Sequence, residues 1–291
     1  MALGVLNNIS AIYAQNNLSN TQASLSKTLQ QLSSGSRINS GADDAAGLSL
    51  ANGLQASSTA LSQSAKNASE GVDMLQVADG AMAQVSSLLN RAVTLATEAA
   101  NGTLNSDQQT AADSEYQSIL GELNTINDNT EYNGLTLFTQ TSGSANTAAT
   151  AINVFTSDGT ISTNYGSDGT SAADSTSFAA LVGVDAGTLG LSGDLTSASN
   201  AQGELANITA AIGTVAKDRG TVGAGINVLT AVSNVVSTES TNTLSAENDV
   251  TATDYGQATS DMSKFQILSQ TGIAALSQAN QSQQLITKLL Q

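Results

Sequence analysis

From Gly47 to Ala99 the chain reads in steps of three and four without a break, and this run constrains the fold more than any other feature. The seam passes through Gly47, Leu50, Leu54, Ser57, Leu61, Ser64, Ala68, Gly71, Leu75, Ala78, Met82, Val85, Leu89, Ala92, Ala96 and Ala99. A period near 3.5 residues is the signature of a helix packed in coiled-coil fashion. No proline occurs in the 291 residues, so nothing removes a backbone donor from the middle of such a helix. Asn101-Gly102-Thr103 should stop it. Ser106 with Gln109 then reads as a capping box opening a shorter helix, with Ala112, Tyr116, Ile119, Leu123 and Ile126 on one face.

The grammar changes at "EYNGLTLF", residues 131 to 138. Asn133-Gly134 tolerates positive φ, and the alternating Leu135 and Leu137 mark a turn into a strand. Residues 139–200 are rich in Gly, Ser, Thr and Asp and read as short strands and loops, with "SDGT" at 157 and again at 167 as turn chemistry rather than a calcium loop. Helical period resumes near Glu204 through Leu205, Ile208, Ile212, Val215, Arg219, Val222, Ile226, Leu229, Val232 and Val236. A break near "ENDVTATDYG" precedes a last helix, and Leu18, Leu25 and Leu32, spaced by sevens, mark a helix at the other end. The expected fold is mainly α: a long coiled-coil-like helical hairpin formed by both chain termini, with a small β-hairpin and loop region mid-chain.

Composition excludes several function classes. The formal net charge is −16, and the eight basic residues stand singly, so no cationic face exists for nucleic acid or for a polybasic membrane anchor. No stretch approaches the roughly 20 apolar residues that cross a bilayer. The absence of His and Cys removes the commonest general base, the thiolate nucleophile and the usual transition-metal ligands. The many serines have no His partner for nucleophilic catalysis. The expectation is a protein that is not an enzyme and needs no cofactor or metal. The first residues, "MALGVLNNISAIYAQNN", lack the basic region and continuous apolar block of a cleaved secretory signal.

Charge does concentrate at one place. In "SSGSRINSGADDAAGLSLA", residues 33 to 51, Arg37, Asp43 and Asp44 crowd together although the chain is only 11% charged. Adjacent carboxylates diverge on a helix, and no third ligand completes a metal site. Asp43 and Asp44 therefore read as a helix start, favoured at the positive end of the dipole. Gly35 and Gly41 mark non-helical backbone between two helices. The motif Gly35, Arg37, Ile38, Asn39, Asp43, Asp44 and Gly47 is read as a structural joint.

The terminal helices have thin seams. The track from Phe265 runs through Leu268, Gly272, Ala275, Ala279, Ser282, Ile286 and Leu289, while Ile267, Leu276, Leu285 and Leu290 point elsewhere. A helix apolar on several sides needs more than one neighbour. The small residues of the track allow close approach between helices. Both tails are therefore expected to be assembly elements that do not order alone.

At "QQLSSGSRINSGADDAAGLSLA", and likewise at "LNRAVTLATEAANG", "EYNGLTLF" and "TDYGQATSDMSKFQILSQTGIAALSQANQ", the chain resembles bacterial flagellin, over about residues 1–138 and 204–291. The resemblance implies an inner-tube helical domain of residues 1–43 with 251–291, carrying a spoke at 33–46. It further implies an outer helical bundle of 44–130 with 201–250 and a short variable β/loop region at 131–200. The implied function is a structural subunit that self-assembles into the flagellar filament used for swimming, exported to the cell exterior by the type III route without a cleaved signal. Implied partners are further copies of itself, an export chaperone, the cap protein and the hook-junction proteins. Host innate-immune receptors are also implied, through Arg91, Leu95 and Glu115, although Ala42 stands where the family usually carries Lys in the plant-receptor epitope. A hook–filament junction protein of the same superfamily is the nearest rival, and the "SSGSRINSGADDAAG" block favours the filament subunit. A chemoreceptor-like signalling coiled coil should place its helical tip where this sequence has the Asn133-Gly134 turn.

Overall fold

A computed structural model describes residues 8–138, 152–155, 164–165, 175–178, 181 and 183–289. The chain divides into two compact units, Met1–Ala56 with Asn242–Gln291, and Ser57–Thr241. The dividing lines fall inside helices α2 (Ala45–Ala100) and α4 (Ala198–Thr251).

In the first unit the two terminal helices, α1 (Ile9–Ser34) and α5 (Tyr255–Leu289), pack antiparallel. The Asn8 side chain opens α1 by accepting from the Ala11 N–H at 3.0 Å, while its amide donates to the Ala279 carbonyl of α5 at 3.1 Å. At the other end Gly35, at φ 71°, closes α1 with its N–H on the Gln31 carbonyl. That conformation costs a residue with a Cβ about 1–2 kcal/mol. On α1 the half-buried face runs Ala11, Ala14, Leu18, Thr21, Leu25, with Thr28 buried; on α5 it runs Phe265, Ser269, Gly272, Leu276, Ala279. A Cβ on Gly272 would sit 3.3 Å from Leu18 Cδ1, so the glycine allows the helices to close up there.

The second unit holds a helical core. The seam of α2 is buried without exception from Leu61 to Ala99, with Leu75, Met82, Val85 and Leu89 as its large members and alanines between them. These pack in one cluster with Tyr116, Ile119 and Leu123 of α3 (Ser106–Asn129) and with Ile208, Val215, Val222 and Leu229 of α4. Alternating large and small side chains let opposed seams interdigitate at the density of an organic crystal. Arg219 lies in the α4 track yet stays half-exposed. Its Nε donates to Asp79 Oδ1 at 2.8 Å and its Nη2 to Oδ2 at 3.3 Å, a bidentate link from α4 to α2.

Three expectations need correction. Leu50 belongs to the expected seam but is 53% exposed, and Ala51 is buried in its stead. The turn before it explains the shift: Gly47 faces Ile38 so closely that a Cβ would lie 2.7 Å from Ile38 Cδ1, and the residue one turn on from 47 is 51. The α3 cap is Asn105 with Gln108, not Ser106 with Gln109. Asn105 Oδ1 accepts from the Gln108 N–H at 2.9 Å, and Gln108 Oε1 accepts from the Asn105 N–H at 3.0 Å. Helix α4 begins at Ala198, ahead of Glu204, because Ser197 Oγ accepts from the Asn200 N–H at 3.2 Å and so caps it. Glu204 itself is 3% exposed and accepts from Tyr116 Oη at 2.5 Å and Asn207 Nδ2 at 2.9 Å. Burial, and then the Glu204 carboxylate, push the Tyr116 phenol above its ordinary value.

The turn at Asn133-Gly134 (φ 52° and 76°) joins β1 (Glu131–Tyr132) to β2 (Leu135–Thr136) in antiparallel register, Tyr132 opposite Leu135. Two successive positive φ values match the right-handed twist of a two-residue hairpin. Leu137 and Phe138, just beyond, are buried in the core. Mid-chain, β3 (Ile152–Phe155) pairs antiparallel with β5 (Ser175–Phe178), which pairs parallel with β4 (Asn164–Tyr165). Both "SDGT" segments lie outside the described residues. The stretch 183–197 is fastened to α3 by polar side chains. Asn127 Oδ1 accepts from the Val184 N–H at 2.9 Å, Asn124 Oδ1 from Ala186 at 3.0 Å and Asp113 Oδ1 from Leu195 at 2.9 Å.

Leu89→Ala should lower the stability of the second unit by about 2–5 kcal/mol, the cost of a core cavity. Leu50→Ala should change stability by less than about 0.5 kcal/mol. Denaturant unfolding followed by circular dichroism separates the two, and equal losses would contradict the shifted seam.

Candidate assembly elements

The segment between α1 and α2 is built from both ends of the chain. Ser36 forms a bridge with Ala252, the Arg37 N–H donates to the Thr251 carbonyl at 2.7 Å, and the Thr253 N–H donates to the Gly35 carbonyl at 3.1 Å. Arg37 also donates from Nη2 to the Val250 carbonyl at 3.0 Å, next to the last turn of α4, where a cation complements the helix dipole. Beneath this miniature ladder Ile38 is buried, and Asn39 Nδ2 donates to the Ser36 carbonyl at 2.8 Å.

The two aspartates have separate tasks. Asp44 Oδ1 accepts from the Gly47 N–H at 2.8 Å, satisfying a donor in the first turn of α2. Asp43 turns back. It accepts from the Ser40 N–H and Oγ, both at 3.0 Å, and from the Asn39 N–H at 3.3 Å, and it pairs with Lys27 of α1 at 2.7 Å. The Lys27 ammonium first, then the Ser40 hydroxyl, hold the Asp43 carboxyl at about 2, below the ordinary 3.8. Gly35 fits because a Cβ there would lie 2.9 Å from the Tyr255 hydroxyl. All seven joint residues thus come together, from Gly35 through Gly47. Among the described residues no group of three acidic side chains is placed to hold a metal ion.

The terminal helices present a second feature. Of the track read from the sequence, Phe265, Gly272 and Ala279 face α1, whereas Leu268, Ala275 and Ser282 are exposed. Ile286 and Leu289 lie in the last turns of α5, whose side chains are outside the described residues. Large apolar side chains stand uncovered on both helices of this unit: Ile9 at 63%, Tyr13 at 67% and Ile267 at 63%, with Ile12, Leu268 and Ile273 beside them in the sequence.

Arg91 and Glu115, on α2 and α3, meet across the surface of the second unit. Arg91 Nε and Nη2 both lie 2.7 Å from Glu115 Oε1. The guanidinium holds the Glu115 carboxyl below its usual range. Leu95, grouped with them in the sequence reading, is 3% exposed and belongs to the core.

Two family patterns match the chain: the bacterial flagellin N-terminal helical region over residues 5–143 and the bacterial flagellin C-terminal helical region over residues 205–290. The flagellin of Listeria innocua is 32% identical over 289 residues, covering 97% of this chain and 98% of its own. The flagellar filament 33 kDa core protein of Treponema phagedenis is 29% identical over 289 residues, with the same coverage. A crystal structure of Bacillus cereus flagellin, 27% identical, covers 62% of this chain and 94% of its own with a TM-score of 0.48.

Asp43 yields a pH prediction. Its carboxyl titrates lower in the folded joint than in the unfolded chain, so its contribution is full above about pH 4 to 5 and is lost as pH falls towards 2. Asp43→Asn should remove that acid sensitivity from amide exchange at Ser40 and Asn39, measured in assembled protein. Unchanged sensitivity in the variant would assign it to another group.

Proposed function

Because the chain belongs to the bacterial flagellin family, and is a structural subunit that self-assembles into the flagellar filament used for swimming, we propose how its parts serve that assembly. Residues 1–43 with 251–291, which include helices α1 and α5, form the inner tube, and residues 33–46 are the spoke. Residues 44–130 with 201–250 form the outer helical bundle, and 131–200 a short variable β/loop region. The observation that carries this reading is the uncovered apolar set on α1 and α5: Ile9, Ile12, Tyr13, Ile267, Leu268 and Ile273. Burying one such side chain against a neighbouring subunit contributes about 1.5–3 kcal/mol, and every subunit repeats the contact.

The role is non-enzymatic. The chain leaves the cell through the type III route without a cleaved signal, accompanied by an export chaperone, and is placed beneath the cap protein onto the hook-junction proteins. Helical tails with thinly apolar contact faces suit that route, since a thread needs segments that do not fold prematurely. For host innate-immune receptors, Arg91 and Glu115 supply the accessible part of the surface and Leu95 supports it from within the core.

Ile267→Asp combined with Ile273→Asp should leave unfolding of the second unit at its wild-type midpoint. It should raise the polymerisation threshold at least tenfold, since about 1.4 kcal/mol per contact suffices. Sedimentation of seeded reactions measures this, and polymerisation at the wild-type threshold would refute the assembly role of these side chains.

Hydrogen exchange supplies an independent check. In dilute monomer, about residues 1–40 and 252–291 should exchange without protection, and in filaments the same amides should be protected. Protection in the monomer would mean that the tails fold unaided.

A further inference from the structure

Three Asn-Gly pairs occur in the chain: Asn52-Gly53, Asn101-Gly102 and Asn133-Gly134. Such a pair can cyclise by itself, because a glycine offers no side chain to hinder its own backbone nitrogen. The three differ in what holds the backbone. Asn52 is exposed but lies inside α2, where helical dihedrals and the i to i−4 ladder fix both peptide planes. Asn133 sits at the tip of the β1–β2 hairpin, whose register and buried Leu137 and Phe138 pin the turn. Asn101 follows the last residue of α2, and four residues separate it from α3. Asn101, Gly102 and Thr103 are all exposed, and the space around Gly102 is open to 4 Å. Of their backbone donors only the Asn101 N–H is engaged, on the Glu98 carbonyl at 3.3 Å.

We propose that Asn101 is a site of spontaneous, fold-directed deamidation. The Gly102 amide nitrogen attacks Asn101 Cγ and forms the N–Cγ bond. The Cγ–Nδ2 bond breaks, and ammonia leaves carrying the amide proton. Water then opens the cyclic imide at either carbonyl, giving Asp or isoaspartate at position 101. The reaction needs only water and changes no oxidation state. Each event adds one negative charge just past the C-terminus of α2, and the isoaspartate product also lengthens the connector by one backbone atom. The core is indifferent to either change, because Ala99 before the site and Tyr116 after it are anchored by burial rather than by the connector.

The test is incubation of the purified full-length protein at mildly alkaline pH, followed by peptide mass spectrometry that resolves Asp from isoaspartate. Asn101 should convert at least tenfold faster than Asn52 and measurably ahead of Asn133, since opening a helix interior by more than about 1.4 kcal/mol already gives that factor. In denaturant the three rates should converge. Asn101→Gln should abolish the dominant conversion while the thermal midpoint of the second unit stays put. Asn52 or Asn133 converting as fast as Asn101 in the folded protein would overturn the proposal, and so would the same rate order in denaturant.

Discussion

One helix can hide one face against one neighbour, and the chain is organised around how far that rule is met. In the second unit it is met. The α2 seam from Leu61 to Ala99 is buried, and from Leu75 on it shares one core cluster with residues of α3 and α4, among them Val215, Val222 and Leu229. In the first unit α1 and α5 cover only a narrow strip of each other, made largely of Ala, Thr, Ser and Gly. Isoleucines on the far sides are left to water. On the proposed reading, stability inside the subunit and adhesion between subunits are divided along the same chain, by where the large apolar residues fall around each helix.

The helices were legible because their signal is long and redundant. Sixteen consecutive seam positions point to one helix whatever any single residue does, and the stop at Asn101-Gly102 and the hairpin at Asn133-Gly134 are local chemistry with one answer each. Errors arose where two residues could each do the same job. Asn105 and Ser106 are both competent caps, and each has a glutamine three positions on; only backbone geometry chooses between them. Ser197 announced α4 from a stretch whose next residues, Ala198 to Gly203, carry no large apolar side chain. Leu50 misled because a strict three-four count ignores how the preceding turn is aimed.

The joint was legible as a joint but not as a contact. Nothing in "GSRINSGADD" says that Ser36 will pair with Ala252 or that Arg37 will reach Val250. Such pairings join residues separated by more than two hundred positions and leave no periodic trace. The same holds for Asn124, Asn127 and Asp113, which read as ordinary polar residues of a solvent-facing helix side and instead receive the backbone of residues 184 to 195. Leu95 shows the same limit: its grouping with Arg91 and Glu115 came from resemblance, the seam through Ala92 and Ala96 passes it by, and only the packed structure places it in the core.

The backbone ladder at the joint carries a consequence for the order of events. Gly35, Ser36 and Arg37 find their partners at Thr251, Ala252 and Thr253, so closing the joint requires the intervening two hundred residues to have arrived already. Loop-closure entropy makes that late step costly, and nothing local rewards it in advance. A chain cut short before residue 251 lacks the acceptors altogether. The joint therefore records how far the polypeptide has been made: only a subunit extended through Thr253 can fasten its first helix to the far end of α4.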